Sequence, residues 1–132
     1  MPEKAKLAQL SPDLVDHFWP IAEPYLRRAQ ERMGGQTTPE IYERFKLGQC
    51  DLWGIFIGPD MVAAAITSIR GDTAYVETVG GGKMKDWVNL LIEFERLAKQ
   101  HGKTRIEIEG RSGWAKLLPA YDTRRIVLGR AL

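Results

Sequence analysis

Three β-rich runs joined by very short connections constrain this sequence more than any other feature. The runs cover Leu52–Ile57, Met61–Ile69 and Thr73–Val79. The connections between them, Gly58-Pro59-Asp60 and Gly71-Asp72, are too short for a crossover between parallel strands. We therefore expect a meander of three antiparallel strands in the middle of the chain.

The residues before the meander show the signals of a strand and of a helix, and two prolines lie inside the predicted helix. Lys4–Leu10 alternates weakly and is predicted to form an edge strand, and Ser11-Pro12-Asp13 has the N-cap, first-turn proline and acidic first turn of a helix. Prolines remove a backbone donor and clash with the preceding turn. We therefore expect a kink or restart at Trp19-Pro20, with the second piece, which includes Pro24, ending at Met33.

Two further helices are predicted from capping and periodicity. Thr37 and Glu40 have the spacing of a capping box, and the helix that they begin is expected to end at Gly48. After the meander, apolar residues recur every three or four positions and stop at Gly102, which predicts an amphipathic helix. Its apolar positions are Trp87, Leu90, Leu91, Phe94, Leu97 and Ala98.

The last part of the chain adds two strands and a short helix. Arg105–Glu109 alternates cleanly, and a strand that follows a strand and a helix is expected to lie parallel to the first strand. Ser112–Tyr121 is predicted to be helical and Ile126–Leu132 to be a strand. The predicted fold class is α+β: one domain over residues 1–132, with a mixed, mostly antiparallel central sheet and helices on both faces, in the order β-α-α-β-β-β-α-β-α-β.

Composition excludes several classes of protein. With 44% apolar and 27% charged residues in 132, the chain resembles an average globular protein rather than a disordered one. Its longest apolar run, Met61–Ile66, is far shorter than the roughly 20 residues of a membrane helix, and no signal-peptide pattern opens it. A single cysteine, Cys50, favours a reducing compartment, so we expect a cytoplasmic protein with no membrane partner.

Charge and metal-ligand spacing give little further guidance. Residues 103–132 hold seven Lys and Arg against three Asp and Glu, which would suit an anionic ligand but is equally typical of a solvated strand. We do not expect a nucleic-acid partner on this basis. His17 and His101 lie far apart without ligand spacing near Cys50, so no metal site is predicted.

The order of elements resembles that of GNAT-type N-acetyltransferases along nearly the whole chain. The run Ile92–Gly102, followed by a strand, is similar to the end of the central helix of that family. Leu47–Trp53 and Gly110-Arg111-Ser112-Gly113-Trp114 resemble a small GNAT-like group found among phage and prophage proteins. Fold alone does not establish function, so the implied activity has to be argued at the site.

The resemblance implies acetyl-CoA as the acyl donor, bound where the strands Thr73–Val79 and Thr104–Glu109 diverge. Helix N-termini and glycine-rich loops hold pyrophosphate through backbone N–H groups. The implied cofactor-binding residues are Val79, Gly80, Gly81, Gly82, Lys83, Met84 and Arg111. Alternatively, the glycines form a plain connector before a helix capped by Asp86, and Arg111 bonds carbonyl groups at a strand end.

The resemblance also implies two catalytic residues. Glu77 stands where some members of the family carry a carboxylate base, and Tyr121 is the nearest candidate for the acid that protonates the departing thiolate. Alternatively, Glu77 faces solvent and Tyr121 packs in the core.

Two functions follow. The first is an acyl-CoA-dependent N-acetyltransferase that acts on a small amine or a protein amine. In the alternative, the chain is a catalytically inactive GNAT-like phage accessory or virion-associated protein that binds a phage or host protein. An ungapped alignment favours the second, since it puts Lys85 and Trp87 where the loop of the family has small residues.

Overall fold

A computed structural model describes residues 4–33, 36–82 and 90–108 of the chain. Within them, three helices and five strands follow one another in the order β-α-α-β-β-β-α-β. Their bounds are β1 Ala5–Gln9, α1 Pro12–Met33, α2 Thr38–Lys46, β2 Asp51–Ile57, β3 Asp60–Arg70, β4 Thr73–Gly81, α3 Leu91–Gln100 and β5 Arg105–Ile108. The predicted final helix and strand lie outside the described residues.

The strands form one sheet in which the spatial order β1-β2-β3-β4-β5 follows the order along the chain. The first four strands pair antiparallel with their neighbours, which confirms the predicted meander of β2, β3 and β4. Strand β5 pairs parallel with β4 after the crossover through α3, as expected for a strand-helix-strand unit. The mixed, mostly antiparallel α+β fold is thus confirmed.

Helices cover both faces of the sheet, and each face has its own apolar cluster. On one face, α1 and α2 pack on the sheet through residues such as Val15, Leu26 and Ile41, all of them almost fully buried. On the other face, Phe94 of α3 packs with Val76 of β4 and with other strand residues. The sheet is therefore the central layer of three.

Helix α1 runs without a break, so the predicted restart at Trp19-Pro20 is wrong. Pro20 is exposed and Pro24 is only partly buried. A carbonyl group that loses its helical partner on an accessible side can be hydrated, and the buried residues Val15, Ala22 and Leu26 hold the helix against the sheet. Packing thus outweighs the local cost of the two prolines.

The predicted capping of α2 is confirmed at both ends. The Thr37 hydroxyl accepts a hydrogen bond from the backbone N–H of Glu40 at 3.4 Å. Gly48 follows the helix with a φ of +74°, a conformation that favours glycine. Among the residues that the structure describes, no helix is long and apolar enough to span a membrane.

Candidate functional site

A bulge in β4 shapes the middle of the sheet. The register with β3 shifts between Ile66 and Thr67, whose partners are Thr78 and Val76, so Glu77 is the extra residue. A bulge re-aims side chains next to it. Here the consecutive side chains of Glu77 and Thr78 lie on the same face of the sheet, towards α1 and α2. Glu77 accepts hydrogen bonds from Arg44 of α2, and Thr78 accepts one from Gln30 of α1.

The carboxylate of Glu77 is held by the guanidinium of Arg44 from α2. Nη1 and Nη2 of Arg44 donate to Oε1 and Oε2 of Glu77, each at 2.9 Å. Nη1 also donates to the side-chain oxygen of Gln36 at 2.7 Å. The two charged side chains are 20% and 16% exposed, so the alternative that Glu77 faces solvent is wrong. The pair can be reached from the surface but is largely sheltered from water.

This pairing fixes the charge state of Glu77. Burial by itself raises the pKa of the carboxyl, but the hydrogen bonds and charge of Arg44 outweigh it and lower the pKa below its usual value of 4.5. The hydrogen bond to Glu77 likewise raises the pKa of Arg44. In this arrangement Glu77 is an ionised carboxylate with low basicity.

A buried hydroxyl adjoins the pair. Ser68 of β3 is 6% exposed and is close enough to Glu77 to help lower its pKa. Nevertheless, its Oγ makes no hydrogen bond of normal geometry within the described residues. A buried polar group without a partner costs free energy, and the nearby Glu77 carboxylate is the acceptor that this hydroxyl can reach with a small rotation.

The glycine triplet is not the simple loop that the sequence suggests. Val79, Gly80 and Gly81 belong to β4 and pair with Ala65, Ala64 and Ala63 of β3. A Cβ atom on Gly80 would lie 2.2 Å from the backbone oxygen of Tyr25 in α1, and one on Gly81 would lie 2.4 Å from the Cβ of Ala63. Packing against α1 is therefore sufficient reason for Gly80, and packing against the neighbouring strand β3 is sufficient reason for Gly81.

Gly82, in contrast, is open. A Cβ atom there would meet nothing within 4 Å, and the residue has no positive φ. Among the residues that the structure describes, no packing contact therefore explains this third glycine. The other implied binding and catalytic residues, Lys83, Met84, Arg111 and Tyr121, lie outside the described residues, as do Lys85 and Trp87.

Strands β4 and β5 are paired only at their beginnings in the part of the chain that is described. Pairing runs from Thr73 with Arg105 to Val76 with Ile108, whereas β4 continues to Gly81. The residues that follow Ile108 are outside the described ranges, so the divergence of the two strands stays a prediction.

The remaining candidates are structural. Cys50 is 5% exposed, and its burial raises the pKa of the thiol. His17 stacks edge-on against Phe18 at 4.8 Å between ring centroids. In the described ranges, no group of three or more His, Cys, Asp or Glu side chains is arranged to hold a metal ion.

Sequence reasoning missed the residues that hold Glu77. Arg44 lies 33 positions before its partner, in a helix that also carries the exposed residues Glu40 and Glu43. A single arginine among such charged residues gives no signal in the sequence of a specific partner. The bulge gave no signal either, since Thr73–Val79 reads as an ordinary strand.

Comparison with known proteins gives a fold but no close relative. No protein-family model matches the chain, and no curated protein matches it by sequence. Solved structures do match over nearly all of it. The aminoglycoside N-acetyltransferase AAC(6')-Iy in complex with CoA superposes with a TM-score of 0.65 at 13% identity, covering 99% of this chain and 97% of that one.

Two more structures give the same result. The aminoglycoside acetyltransferase meta-AAC0020, from an uncultured soil metagenomic sample, has a TM-score of 0.65 at 9% identity and covers 97% of this chain and 96% of its own. A GNAT family acetyltransferase from Elizabethkingia anophelis with acetyl-CoA bound has a TM-score of 0.62 at 13% identity, covering 89% and 72%. At these identities the likeness shows that the chain has the GNAT acetyltransferase fold.

Proposed function

We propose that the chain is an acyl-CoA-dependent N-acetyltransferase that acts on an amine. The observation that carries the proposal is the match of fold over nearly the whole chain to acetyltransferases, some of them solved with CoA or acetyl-CoA bound. The donor would lie along residues 79–82 of β4 and its end.

Gly82 is the residue of the triplet that best fits a role in binding. A Cβ atom at Gly82 would meet nothing within 4 Å, so a pyrophosphate can approach the residue from that side. Lys83, Met84 and Arg111 would add N–H groups and positive charge. Val79, Gly80 and Gly81 would line the donor through their backbones while packing against β3.

Glu77 would take the proton that an ammonium substrate must lose before its nitrogen attacks the acyl carbon. The Arg44 guanidinium now occupies both carboxylate oxygens. An arriving ammonium would therefore have to displace at least one N–H of Arg44 from the carboxylate. Tyr121 would give a proton to the departing sulfur, so that free CoA leaves as the thiol.

The alternative function is a non-catalytic GNAT-fold protein that binds a phage or host protein, either in the bacterial cytoplasm or on a virion. The bidentate Arg44–Glu77 pair favours it, because an ionised carboxylate with both oxygens occupied is a poor base. The two functions differ in whether the chain binds acetyl-CoA and releases CoA as the free thiol.

Calorimetric titration with acetyl-CoA distinguishes them. For an enzyme we expect saturable binding that weakens in the order wild type, Gly82→Ala, Gly82→Val, while the unfolding free energies of the three proteins differ by less than about 0.5 kcal/mol, since a Cβ atom there meets nothing within 4 Å. A ligand at about 100 times its Kd should stabilise the fold by about 2.7 kcal/mol. An activity assay follows the release of CoA thiol with a panel of amines. Release by the wild type that is lost in Glu77→Gln would support the enzyme. Absence of saturable binding at millimolar acetyl-CoA would overturn the enzyme and leave the alternative.

A further inference from the structure

A cleft of about 540 Å³ lies between α1 and α2. The lining residues that the structure describes come from these two helices and comprise two carboxylates, two aromatic rings, two prolines and a threonine. Neither Arg44 nor Glu77 is among them, so the cleft is separate from the site described above. Its volume is within the range of pockets that hold small molecules.

The aromatic wall of the cleft is formed by Trp19 and Tyr42. Their ring centroids are 5.1 Å apart and the ring planes are inclined by 58°. Both residues pack against the core cluster on the inner side and remain partly exposed towards the cleft. The faces of such rings carry negative electrostatic potential and attract cations.

Two carboxylates flank this wall in fixed orientations. Asp16 accepts a hydrogen bond from the Tyr42 hydroxyl at 2.5 Å, and Glu23 accepts one from the Thr38 hydroxyl at 2.7 Å. Oε1 of Glu23 lies 3.7 Å from Nε of the exposed Arg27, one turn further along α1, whereas Oδ2 of Asp16 makes no hydrogen bond within the described part of the chain. The charged side chains that line the cleft in this part are both anionic.

The protein already places an ammonium group at the edge of this arrangement. Nζ of Lys46 lies 3.7 Å from Oδ1 of Asp16 and 5.2 Å from the centroid of the Tyr42 ring. These are the contacts that a bound cation would make with a carboxylate and a π face. The Lys46 side chain is 39% exposed, so it can leave without unfolding anything around it.

We propose that the α1–α2 cleft binds a small organic ammonium ion, in competition with the side chain of Lys46. The ring faces of Trp19 and Tyr42 contact its apolar body, and Asp16 and Glu23 supply the countercharge. The proposal is independent of acyl transfer, since it uses no residue of the donor site.

Two probes of the same shape test the role of charge. Choline and its neutral isostere 3,3-dimethylbutan-1-ol are titrated into the full chain at low ionic strength, and binding is followed by calorimetry and by the indole N–H resonance of Trp19. We expect choline to bind at least about threefold more tightly than the alcohol, as a cation–π contact at an accessible site predicts. Equal affinities, or no shift of Trp19 with either probe, would overturn the proposal.

Three variants and a control test the location. Asp16→Asn and Glu23→Gln keep an acceptor for Tyr42 and Thr38 and should each weaken choline binding severalfold, whereas Lys46→Met removes the competitor and should strengthen it. Glu31→Gln removes the same charge from the exposed side of α1, away from the lining residues, and should leave binding unchanged. A loss in Glu31→Gln equal to that in Glu23→Gln, or weaker binding in a folded Lys46→Met protein, would contradict a cation site in this cleft.

Discussion

Arg44 of α2 and Glu77 of β4 meet in a bidentate ion pair, with both N–O distances at 2.9 Å. The pair joins a helix to the bulge of the central sheet, and it is mostly sheltered from solvent. Charge pairs in such places are strong when intact and costly when one partner is removed, because the other charge stays behind unpaired.

Removing one partner of this pair should destabilise the fold more than removing both. We expect Arg44→Met to lower the unfolding free energy by roughly 1–3 kcal/mol, since it leaves the Glu77 carboxylate without its donors. The double variant Arg44→Met/Glu77→Met should recover a large part of the loss. Urea denaturation of the four proteins of the cycle measures the coupling.

The ion pair between Glu93 and Arg96 is the matched control. It lies along α3 and its side chains are 40% and 65% exposed, so Arg96→Met should cost less than about 0.5 kcal/mol. A loss at Arg44 no larger than the loss at Arg96 would mean that the pair adds nothing beyond a surface contact.

The pH dependence of stability should carry the signature of Glu77. Its pKa is lower in the folded protein than its usual value of 4.5, so the folded state binds the proton less readily than the unfolded chain. The stabilisation is therefore complete above pH 4.5 and is lost as the pH falls through the folded pKa. The difference in unfolding free energy between wild type and Glu77→Gln should shrink over that range.

The comparison with Glu77→Gln is needed because other carboxyl groups titrate in the same pH range. A hydrogen bond from Thr104 lowers the pKa of the exposed Asp72, which gives the wild-type curve an acid slope of its own. Subtracting the Glu77→Gln curve removes that contribution. A difference that stays constant from pH 6 to pH 3 would show that Arg44 does not stabilise the charged form of Glu77.

Gly80 should be much less replaceable than Gly82, the open glycine of the triplet. A methyl group there would lie 2.2 Å from the Tyr25 carbonyl oxygen, and the neighbour is backbone, so α1 would have to move away from β4. We expect Gly80→Ala to cost about 3 kcal/mol or more in thermal unfolding. Gly82→Ala, with open space around it, should change stability by less than about 0.5 kcal/mol. Similar losses at both positions would refute packing as the reason for Gly80.

The Cys50 thiol should be unreactive in the native protein. It is almost fully buried, its Sγ lies 3.9 Å from the Ile41 carbonyl oxygen, and burial raises its pKa. Labelling with an aromatic disulfide at pH 8 should therefore proceed at the rate of global opening and accelerate strongly in urea. Rapid stoichiometric labelling without denaturant would show that the thiol is accessible.

Local signals predicted the elements of this fold well. The Thr37 cap, the Gly48 stop and the short connections of the meander each depend on a few neighbouring residues, and such interactions can be recognised in the sequence alone. The alternation of Arg105–Ile108 and the crossover rule together predicted the parallel pair of β4 and β5.

The predictions from sequence were wrong where contacts between residues far apart in the chain determine the structure. Two prolines argue against a continuous helix by the local rule, yet α1 is held by its buried face. Gly80 reads as part of a phosphate loop, but its small size is required by α1, a helix more than 50 positions earlier in the chain. The partner of Glu77 lies in another element, and no spacing rule relates the two residues.

The coincidence of strand order in space with strand order along the chain has a kinetic consequence. Strands β2, β3 and β4 are joined by the shortest connections, so their pairing closes small loops and costs little chain entropy. Pairing of β1 with β2 must instead wait for about 40 intervening residues, including both helices of one face. Folding is therefore expected to begin in the meander and to spread outward, with β1 joining late. The bulge that carries Glu77 would then form in the part of the molecule that folds first.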